Sequence, residues 1–409
     1  MRSFCETKSA ETKFLAQSKF PPLDNPCTTR DASAKQKMGR TTMNDLKRRD
    51  FLKASAAFAA ASAAGGFDCI EIASAAPIQP PVVDEVAIRV LVDGSYNLFL
   101  RPGQFSNIKV EPAPRQPDFK RTLHNQWGLS LLIDSKSGAE QHTVMVDFGY
   151  TPEALVNNME LVGADPKKIE ALIVSHGHFD HYGGLLGMLD KYRDRLPAEL
   201  TLYAGGEDNF CQRYSGPPGQ LSEFGVLDRR ALAAHKVKTV LCETPAQIGH
   251  AFTTGKIKRA SIEKVLPNTS VEFAMKDGLG CNASHYLPAE MLGKIVPDEH
   301  IHEHATCFNL KGRGLIVISS CGHVGIVNSA RQAMEVSGVN KVHALVGGFH
   351  LGPAPAEYLN AVMGEIKTLN PDVIIPMHCS GDNFTQAVRA QMPEKLVLGT
   401  TGSRITFSA

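Results

Sequence analysis

Apolar and polar positions follow two distinct periods along the chain from about residue 86 onward. Short runs rich in aliphatic and β-branched residues, at 87–92, 130–134, 144–147 and 171–175, predict strands. Between them, residues 151–161 predict a helix. Thr151 is placed to cap it, Pro152 opens its first turn, and Glu153 puts a negative charge near its N-terminus. A second helix is expected over 184–192 and a further strand over 200–204. The regular alternation resumes later, with strands at 305–310, 315–319, 341–346 and 372–376 and helices at 327–336 and 355–369. Residues 396–397 and 404–407 predict closing strand material, and no repeat of fixed period is visible. Strands alternating with helices define an α/β chain, with one domain over 86–409 as the simplest count.

Two stretches break this pattern. Residues 205–299 mix Pro, Gly and charged residues without a strong period. So long an irregular segment inside a compact domain predicts a lid or a substrate-binding insertion. The other stretch is N-terminal. Leu46-Lys47-Arg48-Arg49-Asp50-Phe51-Leu52-Lys53 precedes an Ala-rich, weakly hydrophobic run, and Ala73-Ser74-Ala75 ends it with small residues. Paired arginines, Phe-Leu-Lys, a modest apolar run and a small-x-small cleavage pattern resemble a twin-arginine export signal over 43–75. This predicts a periplasmic protein delivered by the twin-arginine machinery. Residues 1–42 are polar and aperiodic, and read as a disordered extension or a mis-assigned start ahead of Met43.

Composition narrows the partners. The chain has 409 residues, 43% of them hydrophobic, and a formal net charge of +1, which suits a soluble globular protein with ample core. There is one Trp and no basic-aromatic stripe, which argues against nucleic acid. No stretch of the mature part is long and apolar enough for a stable membrane span. Of nine cysteines, Cys211, Cys242, Cys281, Cys307, Cys321 and Cys379 follow the expected cleavage. Their even number permits disulfides in an oxidising compartment, but their spacing does not assign pairs.

Candidate chemistry concentrates at residues 175–184, Ser-His-Gly-His-Phe-Asp-His-Tyr-Gly-Gly, directly after the apolar strand expected at 171–174. Four metal-ligating side chains in six positions, His176, His178, Asp180 and His181, offer donors that suit Zn²⁺, Mn²⁺ or Fe. His176 and His178 would face one ion, and Asp180 and His181 a second. Gly177 and Gly183-Gly184 are expected to supply backbone freedom for the turn. Other strand ends should complete the site. His323 and His378 each follow an apolar strand and are expected as ligands. His350 fits a ligand, a partner to a ligand, or a substrate contact. His302 and His304, in Glu299-His300-Ile301-His302-Glu303-His304, are further options, equally consistent with a solvated loop.

His-x-His-x-Asp-His after a strand resembles the hallmark of the metallo-β-lactamase superfamily. Further landmarks are Gly128-Leu129-Ser130-Leu131-Leu132-Ile133, Val146-Asp147-Phe148-Gly149, Thr254-Gly255-Lys256-Ile257-Lys258-Arg259 and Ser320-Cys321-Gly322-His323. With Gly347-Gly348-Phe349-His350-Leu351 and His378-Cys379-Ser380-Gly381, they resemble the branch of dihydropterin-ribofuranosylaminobenzene phosphate synthase-like proteins. The resemblance implies an αββα sandwich of two mixed sheets flanked by helices, with metals at one edge. It implies ligand roles for His176, His178, Asp180, His181, His323 and His378. Where much of the superfamily has a bridging Asp, this chain has Cys321, either a thiolate ligand or an inert packing residue.

One or two ions there, Zn²⁺ first with Mn²⁺ or Fe as alternatives, would lower the pKa of bound water from 15.7 toward about 7. Asp180, with His176, His178 and His181, would form the catalytic set. The expected reaction is hydrolysis of an ester, lactone or phosphoester in a small molecule, with an anionic group as one option. The alternatives are a dihydropterin synthase-like transferase and an iron-binding redox member of the same fold. Lys256 and Arg259 are candidate clamps for an anionic group, or a basic surface loop. Tyr182 and Phe349 adjoin expected ligands and would line the pocket or pack in the core.

Overall fold

In the computed structural model, residues 78–409 are described, together with the backbone of a short strand at Glu71–Ile72. The extension over 1–42 and almost all of the expected signal over 43–75 lie outside the described residues. Chain order builds the first sheet from β1 (Glu85–Val92), β2 (Ser130–Ser137), β3 (Glu140–Val146), β4 (Ala171–Val174), β5 (Leu200–Ala204) and β6 (Val237–Leu241). The second sheet is centred on β7 (Thr306–Leu310), β8 (Gly314–Ser319), β9 (Val342–Gly347) and β10 (Val373–Pro376). The last strand, β11 (Arg404–Ser408), returns to the first sheet beside β1. Both sheets are mixed. β1, β2 and β3 pair antiparallel, whereas β3 through β6 run parallel. β7 and β8 pair antiparallel, and β8, β9 and β10 run parallel. This is the α/β sandwich that the alternating pattern and the resemblance imply.

The sandwich follows from side chains that leave opposite faces of each strand. Ile88, Val90, Leu131, Ile133, Val146 and Ile173 of the first sheet meet Phe308, Ile316, Ile318, Val346 and Ile375 of the second in one buried layer. The outer face of the first sheet, including Met145, Leu172 and Leu202, is covered by α1 (Pro152–Leu161) and α2 (Leu185–Tyr192). The outer face of the second, including Leu315, Val317, Leu345 and Ile374, is covered by α3 (Ile326–Ser337), α4 (Ala356–Leu369) and α5 (Gly381–Gln391). Strands covered on both faces carry continuous apolar runs, which is why β4 reads Ala-Leu-Ile-Val. Thr151 caps α1 as expected, its hydroxyl accepting from the Ala154 N–H. Residues 396–397 form only an isolated bridge, Ile374 to Leu396.

The stretch 205–299 is more structured than its composition suggests. It contains β6, which pairs with β5 inside the first sheet, and a small four-stranded sheet from Gln212–Ser215, Ser222–Gly225, Ser270–Glu272 and Ile295–Pro297. A disulfide between Cys211 and Cys281 ties two parts of this segment together. Among the described residues, no helix is long and apolar enough to cross a membrane.

Candidate metal centre

The C-terminal ends of β3, β4, β8 and β10 open on one edge of the sandwich. The turns that follow them carry Asp147, residues 175–184, residues 320–323 and His378 respectively. One group forms around His176, His178 and His323, whose ring nitrogens, with that of His300, all lie within 4.8 Å of one another. A second forms around Asp180, His181 and His378. His181 Nε2 lies 3.2 Å from His378 Nε2, and Asp180 Oδ2 lies 3.4 Å from His378 Nε2 and 3.8 Å from His181 Nε2. Cys321 sits between the groups, its sulfur clustering with His176 of one and His181 of the other.

His176, His178 and His181 are each held through one ring nitrogen. Asp147 accepts from the Ser175 N–H through Oδ1 (2.8 Å) and from the Ser175 hydroxyl through Oδ2 (2.7 Å). The same Oδ2 accepts from His181 Nδ1 at 2.7 Å, which leaves the Nε2 lone pair turned to the centre. Ser175 Oγ in turn holds His176 Nδ1 at 2.9 Å, and Thr269 Oγ1 holds His178 Nε2 at 2.8 Å. His378 is placed by its own N–H, which donates to Asp93 at the end of β1 (2.7 Å). The Glu303 carboxylate accepts the N–H groups of His323 and Val324 at 3.1 and 2.8 Å and fixes the turn before α3. Asp147, His300, His350 and His378 all adopt left-handed backbone, with φ between 46° and 56°. Such non-glycine conformations are held by their surroundings and cluster at functional sites.

The groups fit a divalent metal. His176 Nε2, Asp180 Oδ1 and both nitrogens of His323 are buried without any hydrogen-bond partner, a costly arrangement unless something else binds them. Burial, reinforced by the neighbouring imidazoles, holds His176, His178 and His323 well below the usual imidazole range, so their lone pairs are free at neutral pH. Burial opposes ionisation of Asp180, but His181 and His378 outweigh it and bring its carboxyl down to about 2.

Three expectations change in physical detail. Gly177, Gly183 and Gly184 do not use left-handed backbone; they supply space. A Cβ on Gly177 would lie 2.1 Å from Arg213 Nη1 and 2.5 Å from the Asn209 carbonyl, and one on Gly183 2.1 Å from the Tyr150 carbonyl. Gly177→Ala is therefore expected to cost about 1–3 kcal/mol of stability by overpacking and to weaken metal binding; a melt and a metal titration at wild-type values would contradict this. Lys256 is exposed, and the Arg259 guanidinium is engaged by the Glu299 carboxylate at 2.6 Å, so neither is brought to the histidines as an anion clamp. Tyr182 and Phe349 are buried, Tyr182 against the first helical layer and Phe349 against Phe384 in the other, so core packing accounts for both.

His350 lies beside the site, 3.8 Å from Cys321 Sγ and with its ring 4.1 Å from that of His323. Cys321 and Cys379 face each other with sulfurs 3.1 Å apart. Of the three loop histidines, His302 is taken by Asp208 (2.8 Å) and His304 by the Val174 carbonyl (2.9 Å). His300 is the one that reaches the centre. It stacks on His323 at 3.8 Å, and its Nδ1 has no hydrogen-bond partner. Sequence alone could not separate these three, because their selection depends on Asp208 and on Asp298, which accepts the His300 N–H at 2.9 Å and Arg213 Nε at 2.6 Å.

Asp208 gives this loop an acid-sensitive anchor. Burial disfavours its charge, but His302 and Arg213 bring its carboxyl to about 2 from the usual 3.8. A depressed carboxyl stabilises the fold above the unfolded value and loses that contribution as pH falls through the folded one. About 2 kcal/mol should therefore disappear between pH 4 and pH 2. Chemical denaturation across this window should show a steeper loss in the wild type than in Asp208→Asn, where Asp180 still contributes its own share; equal slopes would refute the assignment.

A cavity of about 490 Å³ opens beside His378, lined among others by Asp93, Trp127, Asp382 and Arg389. Trp127, the chain's single tryptophan, lies with its ring centroid 4.7 Å from that of His378. Neither Trp127 nor Arg389 stood out in the sequence, since neither belongs to a motif.

Fold and site together define an αββα sandwich with a two-part, histidine-rich centre at the strand ends. Residues 128–234 match the family model of the metallo-beta-lactamase superfamily. It is 28% identical over 291 residues to a 7,8-dihydropterin-6-methyl-4-(beta-D-ribofuranosyl)-aminobenzene-5'-phosphate synthase of Methanocaldococcus jannaschii, spanning 69% of this chain and 91% of that protein. An uncharacterized protein of the same organism is 25% identical over 68% of this chain and 93% of its own length. Among solved structures, a metal-dependent hydrolase of the beta-lactamase superfamily superposes with a TM-score of 0.58 at 20% identity, covering 79% of this chain and all of that one.

Proposed function

We propose that the protein is a metal-dependent hydrolase acting on an ester, lactone or phosphoester of a small, anionic molecule. The observation that carries this reading is the set of buried, unpartnered donor atoms at His176, Asp180 and His323, at the strand-end edge of the sandwich. His176, His178 and His323, with His300 adjacent, would hold one ion; Asp180, His181 and His378 would hold a second, with Cys321 between them in the role of a shared ligand. The donor set of imidazole and carboxylate suits Zn²⁺, with Mn²⁺ or Fe as alternatives. When bound, such ions supply Lewis acidity toward a carbonyl or phosphoryl oxygen and acidify water.

The remaining work belongs to the chain. Asp180, ionised at neutral pH, offers Oδ1 to accept a hydrogen from the attacking water and orient it. Asp147 and Ser175 keep His181 and His176 in one tautomer, so that the same nitrogens face the centre throughout turnover. Trp127 stacks beside the bound substrate, and Arg389 at the rim of the cavity attracts its anionic group. Metal stripped by chelation and restored as Zn²⁺ or Mn²⁺, followed by a panel of esters, lactones and phosphodiesters, tests the reading. Hydrolysis lost and regained with metal is expected; hydrolysis that is indifferent to metal would overturn it.

A second reading is a synthase-like transferase, supported by the similarity to the dihydropterin synthase over 91% of that protein. It predicts condensation of a pterin substrate with no hydrolysis across the same panel. Export through the twin-arginine route is also proposed, on Arg48-Arg49 ahead of Phe51-Leu52-Lys53 and the Ala-rich run. Replacing both arginines by lysine should retain the protein in the cytoplasm, and unaltered periplasmic recovery would refute the signal.

A further inference from the structure

A second cluster of ligating side chains lies at the other end of β3. Glu140 and His142 stand at the start of this strand, and Asp147 follows its end. Five residues of extended chain place His142 and Asp147 roughly 16 Å apart. His250 reaches the same place from the second sheet, in the turn between Gln247–Ile248 and Ala251–Thr253. Gly249 makes the approach possible: its φ is +56°, and a Cβ there would sit 2.9 Å from the His142 ring. The two imidazoles meet edge to face with centroids 4.4 Å apart.

Each ring has one nitrogen anchored and the other turned toward Glu140. Glu170 holds His142 Nδ1 at 2.5 Å, while His142 Nε2 lies 3.0 Å from Glu140 Oε1. Ser135 Oγ holds His250 Nδ1 at 3.1 Å. His250 is 3% exposed, and its Nε2 has no hydrogen-bond partner; Glu140 Oε2 is 3.6 Å away. The pair with Glu140 satisfies His142 at 3.0 Å, but at 3.6 Å it leaves the buried His250 Nε2 without a hydrogen bond. A metal ion accounts for both. Ligands bound at 2.0–2.1 Å in a tetrahedral site lie roughly 3.3 Å from one another, close to the observed 3.0 and 3.6 Å. A carboxylate on the far nitrogen, as Glu170 is to His142, is a usual outer partner of a ligating histidine.

We propose that Glu140, His142 and His250 bind one divalent transition-metal ion of the zinc class, remote from the centre at the strand ends, and that this ion clamps the two sheets. Two imidazoles and one carboxylate select zinc-like ions over calcium or magnesium. The exposed side of Glu140 leaves a fourth position for water.

The test uses the full chain, stripped by a chelator and reloaded with Zn²⁺, with metal counted by mass spectrometry and the melting temperature followed. Glu140→Ala alters an exposed side chain and should fold; it and His250→Ala are expected to hold one zinc per chain fewer than the wild type and to lose part of the zinc-induced rise in melting temperature. Glu170→Gln should weaken that one ion about ten- to hundredfold. Identical zinc counts and identical thermal responses in wild type and Glu140→Ala would overturn the proposal.

Discussion

His181→Ala is expected to reduce hydrolytic turnover by about 10²–10³-fold or more, with the fold retained. The imidazole contributes Nε2 to the group shared with Asp180 and His378. Its loss also removes a donor from Asp147 Oδ2, which keeps the Ser175 hydroxyl. The structural cost should therefore stay near the ~1–3 kcal/mol of a partly satisfied buried acceptor. Turnover in zinc-replete buffer, measured beside circular dichroism, separates the two effects. Full activity in a folded His181→Ala variant would remove this residue from the site.

Asp147→Asn should lower metal affinity about 10- to 100-fold while changing no ligand. Asparagine fits the same volume and tolerates left-handed backbone, so the φ of 56° at this position is no obstacle. The change acts on polarity. Oδ1 still accepts the Ser175 N–H, but an amide NH₂ now faces the Ser175 hydroxyl and the N–H of His181. His181 must move its proton to Nε2 or turn its ring away, and either withdraws the Nε2 lone pair from the centre. A metal titration that matched the wild type would show that Asp147 is only a packing residue.

Much of this arrangement is legible in the chain, for reasons that differ by element. Residues 171–184 combine a fully buried strand with a dense ligand motif, and both signals are local. Thr151 and Pro152 mark the start of α1 because capping is a property of a few consecutive residues. His323 and His378 are visible as polar residues that end apolar strands. What escapes sequence reading is pairing across long separations. Asp147 ends an apolar strand much as the two histidines do, yet its role appears only when His181 arrives 34 positions later. His300 is indistinguishable from His302 and His304 until Asp208 and the Val174 carbonyl claim the other two. Cys211 and Cys281 are one pairing among the fifteen that six cysteines allow. β6 hides in an irregular stretch because five residues are too few to show a period there.

The glycines of the motif carry a related lesson. A glycine-rich turn suggests conformational freedom, but Gly177 and Gly183 are needed because backbone and the Arg213 guanidinium press against them. Arg213 is itself fully buried and held by Asp298 and Asp208, so the motif's tight turn and the His300 loop share one support. Changes in that support should reach the centre without touching a ligand.

The central claim is that the edge of the sandwich holds divalent metal between two sets of side chains. Crystals of the zinc-loaded protein, measured at the zinc absorption edge, test it most directly. The account predicts anomalous density among His176, His178 and His323, with a second peak among Asp180, His181 and His378. A well-ordered centre with no anomalous density at either position would contradict it.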